Sequence, residues 1–269
     1  MLASFDFDQA EGLRRMLAGP RPRIVTVLSA TPSDDKGAML VNLGASLAQA
    51  GNDVMIVDAC ARDYGVAQRL GVDRGPGLLQ VARQECALNQ VIHPVPQGFS
   101  VATLARTGPT SADEARRLAK AFDVLVKQAG SIVMVDGEFG DDDMFPVPIM
   151  ATSEIVVQVS TSAASITNAY ALIKRLSQHL GRRPFGILVT GATEAEAKVV
   201  YDNMSSAATR YLAVTLSSMG SVPADEYLHR AARLGRAVVD AFPLAGASVA
   251  FRRLAGRFAR TGMQQGRAA

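Results

Sequence analysis

The chain has 269 residues, and its 48% hydrophobic content supplies a sizeable core and excludes a disordered protein. The 28 Lys and Arg against 25 Asp and Glu give a net charge of +3 without a long block of like charge, so we predict no nucleic-acid partner. Two cysteines, an acidic N-terminus and the lack of an apolar run of roughly 20 residues favour a cytoplasmic protein. The three histidines are scattered, and we predict no metal site.

The first 19 residues form a separate N-terminal segment in which Asp8 is positioned to cap a short helix. That helix would carry Leu13, Met16 and Leu17 on one side. Glycine and two prolines between 19 and 22 then separate it from the rest of the chain. We therefore predict a segment 1–19, a main domain 20–262 and a polar tail 263–269.

The main domain opens with an apolar, β-branched run, 23–28, followed by a short polar loop and a helix that begins at Lys36. Strand, loop and helix in this order are the shape of a phosphate-binding loop. Further strands are predicted at 54–58, 99–102, 132–136, 155–159, 185–189 and 216–222. Helices are predicted at 61–70, 77–83, 111–128, 166–180, 194–210, 225–234 and 247–259. This alternation predicts an α/β fold, a doubly wound and mostly parallel sheet with helices on both faces.

The loop between 29 and 36 is poor in the groups that bind a triphosphate. Pro32 removes one amide donor, and Gly37 offers no hydroxyl for magnesium. Asp34 and Asp35 would add carboxylates beside the phosphates. Like charges about 4 Å apart repel by about 1 kcal/mol in water and by several times that near a protein surface. That repulsion is comparable to the attraction that Lys36 would supply.

Asp58 and Asp136 each end a predicted strand, and ligands of parallel sheets bind at the carboxyl ends of the strands. Two interpretations are open. Such acids position water or support a metal in nucleotide hydrolases, and they also cap the helix that follows a strand.

The most specific segment of the chain is Asp8-Gln9-Ala10-Glu11-Gly12-Leu13-Arg14. It is similar to the N-terminal activator motif of the flagellar-number regulators FlhG, FleN and YlxH, which belong to the MinD/ParA superfamily of deviant Walker ATPases. The stretches 152–157, 165–174, 220–225 and 231–239 also resemble the family, so that the likeness covers almost the whole chain.

The resemblance implies ATP or ADP with Mg²⁺ as cofactor, contacted by Thr31, Asp35, Lys36, Gly37 and Thr190. It also shows where the family's nucleotide residues are replaced. The lysine that spans the family's dimer falls at Thr31, its magnesium-binding threonine at Gly37, its water-organising acid at Cys60 and its adenine-contacting asparagine at Thr190. Lys36, Asp58 and Asp136 stay in register, the two aspartates as candidate catalytic acids. We expect weak or absent nucleotide binding and negligible hydrolysis.

In function, the resemblance implies a regulator of flagellar number or placement that engages a signal-recognition-type GTPase, FlhF, through Asp8, Gln9, Leu13 and Arg14. Flagellar switch proteins or transcriptional regulators are further partners that it implies. The alternative is a working ATPase switch that forms a homodimer with ATP. A ParA-like DNA segregation protein is less favoured, because the charge balance offers no basic patch.

The last predicted helix carries one apolar face formed by Ala247, Phe251, Leu254, Ala255 and Phe258, with arginines around it. Such a helix either packs on the domain or lies on an acidic membrane surface. The position of this helix relative to the family's sequence pattern favours packing on the domain. Peripheral contact with the inner membrane is therefore the minor expectation.

Overall fold

The computed structural model describes residues 22–60, 65–105 and 108–265, with side chains up to residue 259. The predicted activator segment, with Asp8, Gln9, Leu13 and Arg14, lies outside the described residues, as does the end of the predicted tail.

Within the described chain, strands and helices alternate as predicted. The strands are β1 (Arg23–Ser29), β2 (Val54–Asp58), β3 (Ile92–Pro94), β4 (Ser100–Thr103), β5 (Ile132–Asp136), β6 (Glu154–Ser160), β7 (Phe185–Thr190) and β8 (Leu216–Val222). The helices are α1 (Lys36–Gln49), α2 (Val66–Arg69), α3 (Leu78–Ala82), α4 (Ala112–Gln128), α5 (Pro148–Thr152), α6 (Ala163–Leu180), α7 (Glu194–Leu212), α8 (Glu226–Arg233), α9 (Val238–Ala241) and α10 (Gly246–Gln265). Single 3-10 turns lie at Pro32–Asp34 and Leu88–Gln90.

The strands form one sheet in the order β3-β4-β2-β5-β1-β6-β7-β8, and all neighbours are parallel except β3 and β4. The predicted fold class is confirmed. The short helices α5 and α9 were not predicted from the sequence. Nor was β3, which is three residues long, ends in Pro94 and lies at the sheet edge. A strand that short leaves no alternating pattern to detect, and proline is tolerated in a sheet at an edge.

The core explains why the strands are so apolar. β2 and β5 are buried at all five positions, as expected of strands covered on both faces. Along β1, Val27 joins one buried cluster with α1 and α10, whereas Leu28 joins another with α6 and α7. Neighbouring residues of a strand point to opposite faces, so helices cover both sides. Because these strands are parallel, the carboxyl ends of β1, β2, β5 and β7 lie at the same end of the sheet.

The predicted apolar face of α10 is part of this core. Ala247, Phe251, Leu254, Ala255 and Phe258 are all 2% exposed or less. The packing interpretation of this helix is confirmed, because these side chains already face the protein interior. Among the described residues, no helix is long and apolar enough to cross a membrane.

Candidate functional site

Lys36, the lysine of the loop, points into the protein. It begins α1, and its residue is 8% exposed. The ammonium Nζ lies 2.8 Å from Oδ1 of Asp136, which is 1% exposed, and also donates to the carbonyl of Gly137. The charge of Lys36 is thus neutralised by a buried carboxylate of the same chain.

Asp58 and Asp136 are both bonded to the start of α2. Oδ2 of Asp58 accepts from the amide of Ala67 at 2.8 Å, and Oδ2 of Asp136 accepts from the amide of Val66 at 3.0 Å. Asp58 also accepts from the amide of Cys60 through Oδ1. These contacts satisfy amide groups at the start of α2, in keeping with the capping interpretation, and the catalytic role of the two acids stays a prediction. Asp136 caps the helix after the neighbouring strand rather than the helix after its own.

The buried position of Asp58 perturbs its titration. Burial, followed by the negative charge of Asp136, raises the pKa of Asp58 from 3.8 to about 6. The backbone donors of Ala67 and Cys60 and the charge of Lys36 oppose this shift. Ionised Asp58 therefore lowers the stability of the folded protein.

This shift predicts a pH dependence of stability. The pKa of Asp58 is higher in the folded than in the unfolded chain, so the folded state binds the proton more tightly and loses stability as the pH rises from about 4 to about 6. For this one group the loss is about 3 kcal/mol. Urea unfolding of the wild type and of Asp58→Asn across this range should show a difference that shrinks or reverses as the pH rises. Parallel pH profiles for the two proteins would contradict the assignment.

The loop itself is organised around an internal carboxylate. Asp34 is 8% exposed, and its Oδ2 accepts from the hydroxyls of Thr31, Ser165 at 2.8 Å and Ser29 at 3.2 Å. Hydroxyls near such a loop would otherwise be free to contact an anion. Here they are oriented toward an anion that the chain provides.

Asp35 joins the loop to α2. Its backbone adopts a left-handed conformation, with φ of 48°, and its side chain accepts from the amide of Ala38 at 3.2 Å, which caps α1. The same carboxylate forms an ion pair with Arg69 of α2. The Asp35–Arg69 pair therefore links the loop to α2 at the protein surface. In the interior, Asp136 makes a second link, because it contacts both Lys36 and the amide of Val66.

Gln158 is a site residue that the sequence analysis missed. It is fully buried on β6, and its Nε2 donates to the carbonyl of Asp34 and to the hydroxyl of Thr190 at 3.1 Å. Thr190, predicted to contact adenine, is thus connected to the loop through one amide. The available signal was that Gln158 is the single polar residue in the predicted strand 155–159.

A cleft of about 750 Å³ opens beside the loop, between α1, α2, α8 and the ends of β6, β7 and β8. Asp34, Asp35, Arg69, Gln158, Thr190 and Pro223 are among its lining residues. Of the predicted site residues, Asp35 and Thr190 line this cleft, whereas Thr31, Lys36, Gly37, Asp58 and Asp136 do not.

These residues do not fit a magnesium-bound triphosphate as they are arranged. Gly37 has no hydroxyl to offer a metal. The ammonium of Lys36 and the carboxylate of Asp136 are bonded to each other.

The central strand, the loop opening α1 at a lysine and the two strand-terminal aspartates define a MinD/ParA-type P-loop fold. Solved structures agree. MinD of Pyrococcus furiosus superposes with a TM-score of 0.66 at 18% identity, covering 89% of this chain and 99% of that one. MinD of Pyrococcus horikoshii, solved with Mg-ADP, gives a TM-score of 0.65 at 17% identity, covering 87% and 94%. These likenesses establish the fold.

The family follows from a curated relative. The antiactivator FleN of Pseudomonas aeruginosa is 30% identical over 241 residues, which cover 87% of this chain and 85% of FleN. No protein-family model matches the chain. The chain belongs to the FleN family of the MinD/ParA superfamily.

Proposed function

We propose that this protein regulates flagellar number or placement as a FleN-type regulator, and that it does so without a working nucleotide switch. The observation that supports a degenerate switch best is the ion pair between Lys36 and Asp136. Both groups are more than nine-tenths buried, and the two charged atoms lie 2.8 Å apart.

A nucleotide phosphate would have to draw Lys36 away from Asp136. Separating one partner of a buried ion pair from the other typically costs about 3–5 kcal/mol. A phosphate that drew Lys36 away would leave Asp136 buried without its cation, and this cost would offset the attraction between the phosphate and Lys36. Nucleotide affinity is also lowered by the missing hydroxyl at Gly37 and by the carboxylate of Asp35 in the cleft.

Calorimetric titration with Mg-ATP tests this part of the proposal. We expect no binding in the micromolar range and no change of oligomeric state on sizing chromatography. The triple variant Asp34→Val, Asp35→Gly, Gly37→Thr restores the residues that the family's loop has at these positions, and it should bind more tightly than the wild type. Tight binding by the wild type with a shift from monomer to homodimer would instead support the ATP-driven switch.

The partner is proposed to be an FlhF-type GTPase, engaged through Asp8, Gln9, Leu13 and Arg14. These residues precede the described domain, and their action would require no nucleotide at the degenerate site. The relative's name, antiactivator, further supports a role in opposing an activator. We place this activity in the cytoplasm, because the apolar face of α10 is committed to the core.

Replacing Gln9 by alanine tests the partner. The full-length wild type should stimulate GTP hydrolysis by an FlhF-type GTPase equally with and without ATP, and Gln9→Ala should remove most of this stimulation. Gln128→Ala, at an exposed position near the end of α4, is the matched control and should behave as the wild type. Equal activity of Gln9→Ala and Gln128→Ala would refute the role of the segment.

A further inference from the structure

A buried carboxylate of the loop lies at the start of a long helix. Asp34 is 8% exposed, and its Oδ2 lies 2.8 Å from the hydroxyl of Ser165. Ser165 is the third residue of α6, which has 18 residues and begins at Ala163. The partial positive charge at a helix N-terminus favours an anion. Asp34, which comes from a distant part of the chain, supplies that anion.

Three hydroxyl groups converge on the same oxygen atom of this carboxylate. Ser165 and Thr31 donate to Oδ2 of Asp34, and Ser29 makes a longer contact at 3.2 Å. The proton of Ser29 is shared, because the same hydroxyl also donates to the carbonyl of Thr31 at 2.9 Å. We call these three hydroxyls, together with the first turn of α6, the hydroxyl pocket. Donor groups at a helix N-terminus are suited to a small oxyanion.

Part of the hydroxyl pocket is held in place by contacts that do not involve Asp34. Oγ of Ser165, a fully buried residue, accepts from the amide of Ser160 at 2.9 Å. The amide of Ser165 in turn donates to Ser162, the residue that caps α6. The hydroxyl donor on α6 therefore stays in position when the Asp34 side chain is removed.

The loop needs an anchor, because its backbone is not relaxed. Asp35 has a φ of 48°, in the left-handed region that residues other than glycine adopt at a cost. The residue before it is fixed twice: the carboxylate of Asp34 binds the hydroxyl pocket, and the carbonyl of Asp34 accepts from the amide of Gln158. Asp34 therefore ties the loop to both α6 and β6.

The hydroxyl pocket lies beside the cleft described above. Asp34 lines this cleft, as do Gln158 and Thr190. Removing the carboxylate would connect the pocket to a space of about 750 Å³. A molecule of the size of the missing group can then enter from the cleft.

We propose that the hydroxyl pocket is a binding site for a small carboxylate and that Asp34 is its tethered occupant. The effective concentration of a tethered ligand is set by the chain and does not fall on dilution. The Asp34 carboxylate keeps the loop in one conformation and excludes free anions from the pocket. This inference rests on the proposed function and deepens it, because the chain itself then orders the loop that a nucleotide would otherwise order.

Chemical rescue tests the proposal. Asp34→Ala removes one formate-sized group, and its melting temperature in chloride should fall on the order of 5 °C below that of the wild type. Sodium formate at equal ionic strength should recover most of this loss and should saturate. Asp34→Gly removes one further carbon, so acetate should stabilise it more than formate does. Asp34→Asn keeps the pocket filled and should respond to these salts only as the wild type does.

Two controls separate the hydroxyl pocket from a general salt effect. Asp202→Ala removes an exposed carboxylate of α7, and it should respond to formate as the wild type does. Adding Thr31→Val to Asp34→Ala removes one donor of the pocket and should weaken the formate response severalfold. Hydrogen exchange of residues 29–38 should be faster in Asp34→Ala than in the wild type, and formate should slow it again.

Equal formate responses of Asp34→Ala and Asp202→Ala would overturn the proposal, and so would an Asp34→Ala protein that folds in neither salt. Rescue of the melting temperature without slower exchange in the loop would refute its ordering by the anion. These measurements use neither nucleotide nor partner. Tight Mg-ATP binding by the wild type would overturn the proposed function and leave the formate result intact.

Discussion

Replacing Lys36 by methionine should destabilise the protein by about 3–5 kcal/mol, the typical cost of removing one partner of a buried ion pair. The change leaves Asp58 and Asp136 buried together without a cation. Burial and the charge of Asp136 already raise the pKa of Asp58 to about 6 in the presence of Lys36. A lysine that faced a bound ligand would be replaced with little effect on folding.

Urea unfolding at pH 7 measures this effect. Lys174→Met, at an exposed position of α6, is the matched control and should stay within about 0.5 kcal/mol of the wild type. Adding Asp136→Asn to Lys36→Met should recover part of the lost stability, because it removes one of the two uncompensated carboxylates. If Lys36→Met proved as stable as Lys174→Met, the ion pair would not be a structural element.

Phe251→Ala should reduce the free energy of unfolding by about 3–5 kcal/mol, the usual range for removing a buried phenylalanine side chain. Phe251 is 1% exposed on α10 and belongs to the same buried cluster as α1. Truncation leaves a cavity between two helices, at the wall of the cleft beside the loop. If α10 were a membrane helix, the same change would reduce vesicle binding and leave stability unaffected.

Val249→Ala provides the comparison for this second prediction. Val249 lies on the same helix but is 39% exposed, so its truncation should cost well under 1 kcal/mol. Co-sedimentation with acidic vesicles should be equally low for both variants and the wild type. A stability loss as small for Phe251→Ala as for Val249→Ala would contradict the core position of the helix.

The fold was predictable because its signals are local. Near-continuous apolar runs such as the one ending at Asp58 identify buried parallel strands, and the 3.6-residue spacing identifies the helices between them. β3 was not predicted, because it is defined by its pairing with β4 and not by a pattern in its own residues. Sequence periodicity carries no information about a three-residue edge strand.

The site was only partly predictable, because its contacts join distant parts of the chain. The sequence predicted that Lys36, Asp58 and Asp136 lie at the same end of the sheet. The direction in which the lysine side chain points, however, depends on a partner 100 residues away. Gln158 and Ser165 reach Asp34 from β6 and α6, and no spacing rule links them to the loop. The sequence alone could not place the hydroxyl donors to Asp34, and the predicted conflict of this carboxylate with a phosphate stays a prediction.

The internal ion pair has a consequence for how the protein's output is set. A protein stabilised by a bound ligand gains RT ln(1 + [L]/Kd), and its folded population then follows the ligand's concentration. Here Lys36 pairs with Asp136, and Asp58 and Asp136 accept from backbone amides of α2, all within the chain. Under the proposed function without a nucleotide switch, the number of active copies depends on synthesis and degradation rather than on the energy charge of the cell. For such a regulator, a few kcal/mol of folding stability directly determines dosage.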